Sequence, residues 1–375
     1  MSGGAKRFPW VFPKGTAARL PTSSMHPALL EILVDPGGGG PLTLEGGAED
    51  SEIISGALIA TDGRRFPIRA GVPRMVPGRD SSVEIDAGAT QRSFGAKWAQ
   101  YREEDTDRLA EFQYRWFDQR FGLENEDGFS ELLTGRRRIL DAGTGPGLCA
   151  VRCARLARDA RVVGMDLSDS VTAARRRHAQ HGNLDYVQGD ILNPPFRPGT
   201  FDFVVADQVL HHTPDCRRAF HTMARLVAPD GQLAVYVYRR KAPLRELADD
   251  HIIDMTAQLP VDDCLEFSQQ ITELGRELAR LDAKIKLERG VPLLGIEPGE
   301  HDVQRLIYWT MLKCFWSEEL GWHQSVMVNY DWYSPVYRSR HTEDEVLEWC
   351  RDAGLEVDNL DVIESGISVR ATRPR

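Results

Sequence analysis

The segment Asp141-Ala142-Gly143-Thr144-Gly145-Pro146-Gly147 sets an acid ahead of glycines at every second position. Apolar Ile139 and Leu140 lead into it and Leu148 opens a helical pattern, so it reads as a tight turn from a buried strand into a helix. Glycine suits such a turn because a side chain would collide with a ligand lying over it. Two later apolar runs also end in acids, Asp166 and Asp190. An acid at the end of a second strand accepts hydrogen bonds from ribose hydroxyls. A fourth run leads to His211-His212. Imidazole titrates near working pH, so either ring suits a general base, with Asp207 behind them. The other reading of the pair is structural, capping the helix that follows. Tyr236 and Tyr238 share one face of a fifth run. Arg239, Arg240 and Lys241 come next, either as a solvated charge run or as a grip for an acceptor carboxylate or phosphate.

These groups need a sheet to hold them. Strands are expected at residues 139–142, 161–166, 185–190, 201–207 and 231–238, with helical segments between them. Right-handed crossovers then make the sheet parallel and put ligands at the carboxyl ends of its strands.

In this order the motifs resemble the Rossmann-like, class I S-adenosylmethionine-dependent methyltransferases. The family's first motif matches Asp141, Gly143, Gly145 and Gly147; its ribose acid falls on Asp166 and its adenine-side acid on Asp190. Its fourth-strand motif falls on residues 201–215, and its approach to strand five on Leu226-Val227-Ala228-Pro229-Asp230-Gly231. A nicotinamide dehydrogenase would carry G-x-G-x-x-G at the turn instead. The resemblance covers residues 136–240. It implies an α/β fold with a seven-stranded sheet and S-adenosylmethionine as cofactor. Asp141, Gly143, Thr144, Gly145, Gly147, Asp166, Leu167, Ser168, Asp190, Ile191, Asp207 and Gln208 would hold that cofactor. Methyl transfer to O, N or C of a small-molecule acceptor is the implied activity.

Composition narrows the partners. The net charge of −10 argues against nucleic acid, whose binders present a basic surface. The six cysteines are scattered without a paired C-x-x-C, which indicates neither a disulfide framework nor a metal site. No apolar run reaches membrane length and no signal peptide is visible, so a cytoplasmic location without membrane partners is expected.

Around the core, residues 1–24 read as a flexible arm. Residues 25–80 read as short strands and turns, including 26–34, and resemble the zinc-ribbon domain fused ahead of bacterial methyltransferases. The four knuckle cysteines are replaced by Asp35, Gly38, Ile59 and Asp62, so zinc is not expected and the small unit must rest on its own core and on its neighbour. Residues 81–135 read as a helical linker or lid; within it, Phe94 and Trp98 resemble a family segment that folds over the cofactor.

Residues 241–335 form a long insertion read as a helical, aromatic-rich cap. Ile271, Leu274, Leu278, Leu281 and Ile285 predict one long amphipathic helix, serving as core or lid, or as the seam of a homodimer. The insertion leaves the ligand-bearing end of strand five, so some of its rings should line an acceptor pocket. Trp332 and Tyr333 are the first candidates, beside Tyr236 and Tyr238. Residues 336–375 read as a terminal helix and the last two strands of the core sheet. Arginine far outnumbers lysine, hinting at a GC-rich bacterial genome, and specialised metabolism such as antibiotic biosynthesis is the expected setting. Two alternatives keep the same cofactor motifs. One is a non-methylating enzyme that cyclises the cofactor's aminobutyrate arm to release methylthioadenosine; the other is a tRNA or protein methyltransferase.

Overall fold

The computed structural model describes residues 24–46, 48–49, 52–76 and 103–375. The N-terminal arm, Phe94 and Trp98 lie outside these residues. The first unit contains a single 3-10 turn, Pro27–Glu31, and strands β1 (Leu42–Glu45), β2 (Ala48–Glu49), β3 (Glu52–Ile53), β4 (Gly56–Ala60), β5 (Arg65–Arg69) and β6 (Val72–Pro73). Helices α1 (Glu103–Arg120) and α2 (Glu126–Leu133) lead into the core. There β7 (Arg138–Ala142), α3 (Leu148–Leu156), β8 (Arg161–Asp166), α4 (Ser170–Arg177), β9 (Leu184–Gln188), β10 (Phe201–Ala206), α5 (Cys216–Leu226) and β11 (Val227–Tyr238) alternate. The cap holds α6 (Pro243–Thr256), α7 (Val261–Arg280), β12 (Lys284–Leu287), β13 (Gly299–Asp302), α8 (Val303–Thr310) and α9 (Gly321–Tyr333). Helix α10 (Glu343–Asp352) and strands β14 (Glu356–Val362) and β15 (Gly366–Thr372) complete the chain.

The core sheet has seven strands in the order β14-β15-β11-β10-β7-β8-β9. Strands β9, β8, β7, β10 and β11 run parallel, and β15 is antiparallel to both of its neighbours. Side chains alternate across the sheet. Leu140, Val163, Val187 and Val204 pack on one face, and Ile139, Val162, Leu184 and Phe203 on the other. Both faces are therefore buried, and the ligand-accessible part of the sheet is its carboxyl edge.

The first unit is a four-stranded antiparallel sheet, β1-β4-β5-β6, docked against the edge strand β9. Met75 N donates to Gln188 O at 2.7 Å, and Val34 N to Pro195 O at 2.9 Å. Arg74 reaches Asp169 at 2.6 Å and Gln188 at 3.1 Å. The contact covers an edge that would otherwise offer unpaired backbone groups.

Three expectations need correction. Residues 26–34 are not a strand. Pro27 opens the 3-10 turn and the His26 ring accepts from Ala28 N, because proline favours a helical start over a ladder position. The long helix of the cap stops at Arg280: Asp282 takes a left-handed φ of 46°, and Ile285 falls in β12. Leu274, Leu281 and Ile285 are consequently exposed, and the buried face of α7 is Cys264, Ser268, Ile271, Thr272 and Gly275. The cap is also not wholly helical, since β12 and β13 form a hairpin within it.

The turns at Asp35 and Asp62 meet through arginine. The Arg64 guanidinium donates to Asp35 at 2.6 Å and to Asp62 at 2.7 Å, and Asp35 is buried. A cation thus joins the two turns without a thiolate. Among the described residues no group of three His, Cys, Asp or Glu could hold a metal ion. Removing Arg64 strands the Asp35 carboxylate, whereas Arg65 pairs with Glu45 in solvent. Arg64→Ala should therefore lower the melting temperature clearly more than Arg65→Ala. Equal shifts in the two variants would show that the Arg64 bridge contributes no more than a surface pair.

Candidate active site

The site begins where β7 ends. Gly143 N and Thr144 N both donate to Met165 O, at 2.7 and 2.9 Å, folding the turn back on β8. The Asp141 carboxylate is buried and accepts from Thr144 Oγ1 at 2.6 Å and Ala150 N at 2.9 Å. It therefore ties the turn to the first helical residues beyond it. Burial is the largest influence on this acid and pushes it up to about 7, against the pull of those hydrogen bonds. Gly143 and Gly147 have φ of 75° and 87°. A Cβ on Gly143 would overlap Val209, and one on Gly147 would overlap the Tyr186 hydroxyl. At these two positions the glycine requirement comes from the protein's own packing.

Asp166 ends β8 and accepts from Gly145 N at 2.9 Å, Ser168 N at 2.8 Å and Ser168 Oγ at 2.7 Å. Loop and acid thus form one cradle. Burial raises this carboxyl above its ordinary value. Asp190 closes a turn beyond β9, accepting from Leu192 N at 2.9 Å and Asn193 Nδ2 at 3.1 Å. Past β10, Asp207 is held bidentately by Arg120 at 2.9 and 3.1 Å. Gln208 follows with a left-handed φ of 60° and donates to Gln113 Oε1 at 3.1 Å.

These residues line one cavity of about 470 Å³, within the range of small-molecule sites. Asp141, Gly143, Thr144, Gly145, Asp166, Leu167, Ser168, Asp190, Ile191, Asp207 and Gln208 are all on its wall. So are His212, Tyr236, Tyr238 and Trp332. The opposite wall comes from α1, through Phe112, Gln113, Tyr114, Trp116 and Phe117, and from the cap. A larger hollow of about 960 Å³ lies at the other end of the strands and contains none of the candidate residues.

Three candidates fall elsewhere. Gly147 is the cap of α3 and does not reach the cavity. His211 is fully buried and off the cavity wall, stacked on Tyr238 with ring centroids 3.7 Å apart. Burial drives its pKa well below the ordinary value, and the His212 charge adds to the effect, against a weaker pull from the Tyr236 backbone. Tyr333 is also buried away from the cavity, its hydroxyl donating to Lys313 O at 2.7 Å. Trp332 and Tyr333 are successive residues of α9, about 100° apart around its axis, so only one of them faces the cavity.

His212 is set differently from its neighbour. Its Nδ1 lies 3.0 Å from Tyr337 O. A carbonyl can only accept, so the neutral ring carries its proton on Nδ1 and its lone pair on Nε2. The segment that returns from the cap fixes this arrangement, with Ser339 N donating to His211 O at 2.9 Å. Burial raises the phenols of Tyr236 and Tyr238, which stay neutral.

Several residues that build or line the site carried no sequence signal. Arg120 pairs with an acid 87 positions later. The cap cations Lys313 and Arg305 reach the wall only through tertiary folding. Cys149 lines the wall as well, and all six cysteines are free.

Residues 140–235 match the sequence model of the family described as "Methyltransferase domain". A malonyl-[acyl-carrier protein] O-methyltransferase of Legionella pneumophila is 32% identical over 131 residues, which is 35% of this chain and 44% of that protein. A ubiquinone biosynthesis O-methyltransferase of Erwinia tasmaniensis is 34% identical over 100 residues, 26% of this chain and 40% of that protein. In each case the chain spans less than half of the relative. Among solved structures, the 1,6-didemethyltoxoflavin-N1-methyltransferase of Burkholderia thailandensis superimposes with a TM-score of 0.41 at 16% identity, covering 80% of this chain and 94% of that one.

The contrast between the two histidines has a thermodynamic consequence. His211 stays neutral in the folded chain, while the unfolded chain takes up a proton near pH 6.5. Its contribution is therefore complete above about pH 6.5 and is lost as pH falls, at up to about 1.4 kcal/mol per unit. In urea unfolding between pH 7.5 and 5.5, His211→Phe should lose stability less steeply than the parent. An unchanged slope would mean that His211 is not buried in its neutral form.

Proposed function

We propose that the protein is an S-adenosylmethionine-dependent methyltransferase acting on a small molecule held between the carboxyl edge of the sheet and the cap. The observation that carries this reading is the shared cavity: the glycine turn, Asp166 and Asp190 line one side, and aromatic residues of the cap line the other. The donor set fits the cofactor. Asp166 is already oriented by Gly145 and Ser168 to accept ribose hydroxyls, Leu167 and Ile191 offer apolar surface to an adenine, and Asp190 stands beside them. Gln208, on the same wall just past β10, would face the cofactor's reactive end.

Bound there, the cofactor would supply an electrophilic methyl group on a sulfonium. The chain has to align an acceptor, keep water away and take up a proton. His212 is placed for the proton, since its Nδ1–H is committed to Tyr337 O and Nε2 keeps its lone pair. Tyr238 and Trp332, with ring centroids 4.8 Å apart, give the acceptor an aromatic surface. Their buried faces also favour a nearby cation. The O-methyltransferase relatives support an oxygen acceptor. The cap lies outside the segment that matches the family, which supports an acceptor particular to this chain, in keeping with bacterial specialised metabolism.

Calorimetry with adenosylhomocysteine should show saturable binding. Asp166→Ala should weaken it by about 1–3 kcal/mol, the loss expected for hydrogen bonds to a charged group. His212→Gln should retain the affinity. With methyl-labelled S-adenosylmethionine and a pool of small metabolites as acceptors, label transfer should fall in His212→Gln by roughly 10²–10⁴, the usual worth of a general base. Equal affinity of Asp166→Ala and parent would remove the ribose assignment, and parental transfer by His212→Gln would remove the base.

A further inference from the structure

The cap's share of the cavity wall is lopsided in charge. It contributes four cations, Lys241, Arg245, Arg305 and Lys313, and one carboxylate, Asp331. Three of the cations gather around a single ring. The Lys313 ammonium lies 4.7 Å from the Trp332 centroid, Arg245 Cζ 5.3 Å and the Lys241 ammonium 5.8 Å. Two of the three are answered by the protein. Arg245 is buried against Asp249 at 2.7 Å, and the Lys241 ammonium donates to Glu364 O and Ser365 O at 2.6 and 2.8 Å.

Lys313 is not answered in this way. It is only 7% exposed, yet among the described residues no carboxylate lies within ion-pair distance of it. Its one hydrogen-bond partner is the Tyr308 hydroxyl, at a long 3.4 Å. Its other neighbours are the rings of Trp332, Tyr308 and Phe315. A buried ammonium without a counter-charge is costly, and folding does not retain one by accident of packing. The backbone around it is firmly placed: Tyr333 holds Lys313 O, Gln304 holds Cys314 O at 3.2 Å, and Asn329 accepts from Phe315 N at 2.9 Å. Burial depresses Lys241 well below its ordinary value, and the nearby charges of Arg245 and Lys313 add to that shift, as crowding of like charges requires.

We infer that the acceptor is an anion, a planar or aromatic molecule bearing a carboxylate or phosphate, and that Lys313 binds the anionic group while the body lies along Trp332 and Tyr238. This rests on the reading of the cavity as a cofactor-plus-acceptor site. The chain of ring contacts gives the acceptor a direction. Lys313 meets Trp332, Trp332 meets Tyr238 at 4.8 Å, and Tyr238 meets His212 at 5.5 Å. The anion therefore sits at the cap end, and the atom to be methylated lies toward His212.

The test uses the full chain saturated with adenosylhomocysteine, titrated with 2-naphthoate, 2-naphthyl phosphate and neutral 2-naphthamide. One or both anions should bind about 10-fold or more tightly than the amide, a difference of about one decade in Kd. The preferred anion identifies which group the site takes. The preference should persist in Lys313→Arg and vanish in Lys313→Met, with adenosylhomocysteine affinity close to parental in both and the melting temperature of Lys313→Met at or above parental. Anions binding no more tightly than the amide, or a preference that survives Lys313→Met, would overturn the inference. Failure of the parent to bind adenosylhomocysteine would instead overturn the reading of the cavity on which it rests.

Discussion

The site hangs on one buried guanidinium. Arg120, at the end of α1, is 1% exposed and grips Asp207 with two hydrogen bonds. A guanidinium that far from water is stable only if its charge and its planar donors are matched, and a bidentate carboxylate does both. The rest of its surroundings come from its own helix and from distant strands. Trp116 lies 3.8 Å below its Cζ and Tyr236 4.5 Å away, while the Asn359 side chain donates to Arg120 O at 3.1 Å. One residue therefore ties helix α1 to the end of β10, to β11 and to β14. That tie helps to set the aromatic face of α1 over the sheet's carboxyl edge. The neighbouring Arg152–Asp118 pair, with bonds of 2.7 and 2.8 Å, fixes the same helix to α3.

The cap solves a second version of the same problem. Its helices α7 and α9 pack through small and polar residues. Asn329 bridges to Thr272 at 2.8 Å, and Gly275 lies so close to Cys314 O that a side chain would not fit. This close approach brings the loop of Lys313 down onto the cavity. The segment returning from the cap then threads past β11, where His341 N donates to Tyr238 O at 2.8 Å and Tyr337 O receives the His212 ring. The cap is therefore more than a cover: its exit segment sets the tautomer of the imidazole beneath it.

Much of the core was legible in the sequence because it is local. The strand positions along the chain, the glycine turn and the acids at strand ends follow from runs of apolar residues and from spacing. The choice between Trp332 and Tyr333 was also within reach, since neighbours on a helix cannot share a face. What escaped the sequence depends on contacts between remote segments. Nothing in the run Leu210-His211-His212 says which ring packs on Tyr238 and which meets Tyr337. Arg64 between Asp35 and Asp62 looks like any turn arginine until the two turns are brought together. The helix through Leu281 and Ile285 failed for a different reason. Its apolar spacing continues past Arg280, but Asp282 leaves the helix in a left-handed conformation and the hydrophobic residues beyond it go to a hairpin.

The most direct measurement is a crystal structure of the chain with adenosylhomocysteine bound. The expected result places the ribose hydroxyls on Asp166, the adenine against Leu167 and Ile191, and the sulfur facing His212, with open volume left between it and Lys313. A ligand bound away from the Asp141–Gly147 turn would contradict this description of the site. So would a ligand that filled the cavity up to Trp332 and left no room for an acceptor.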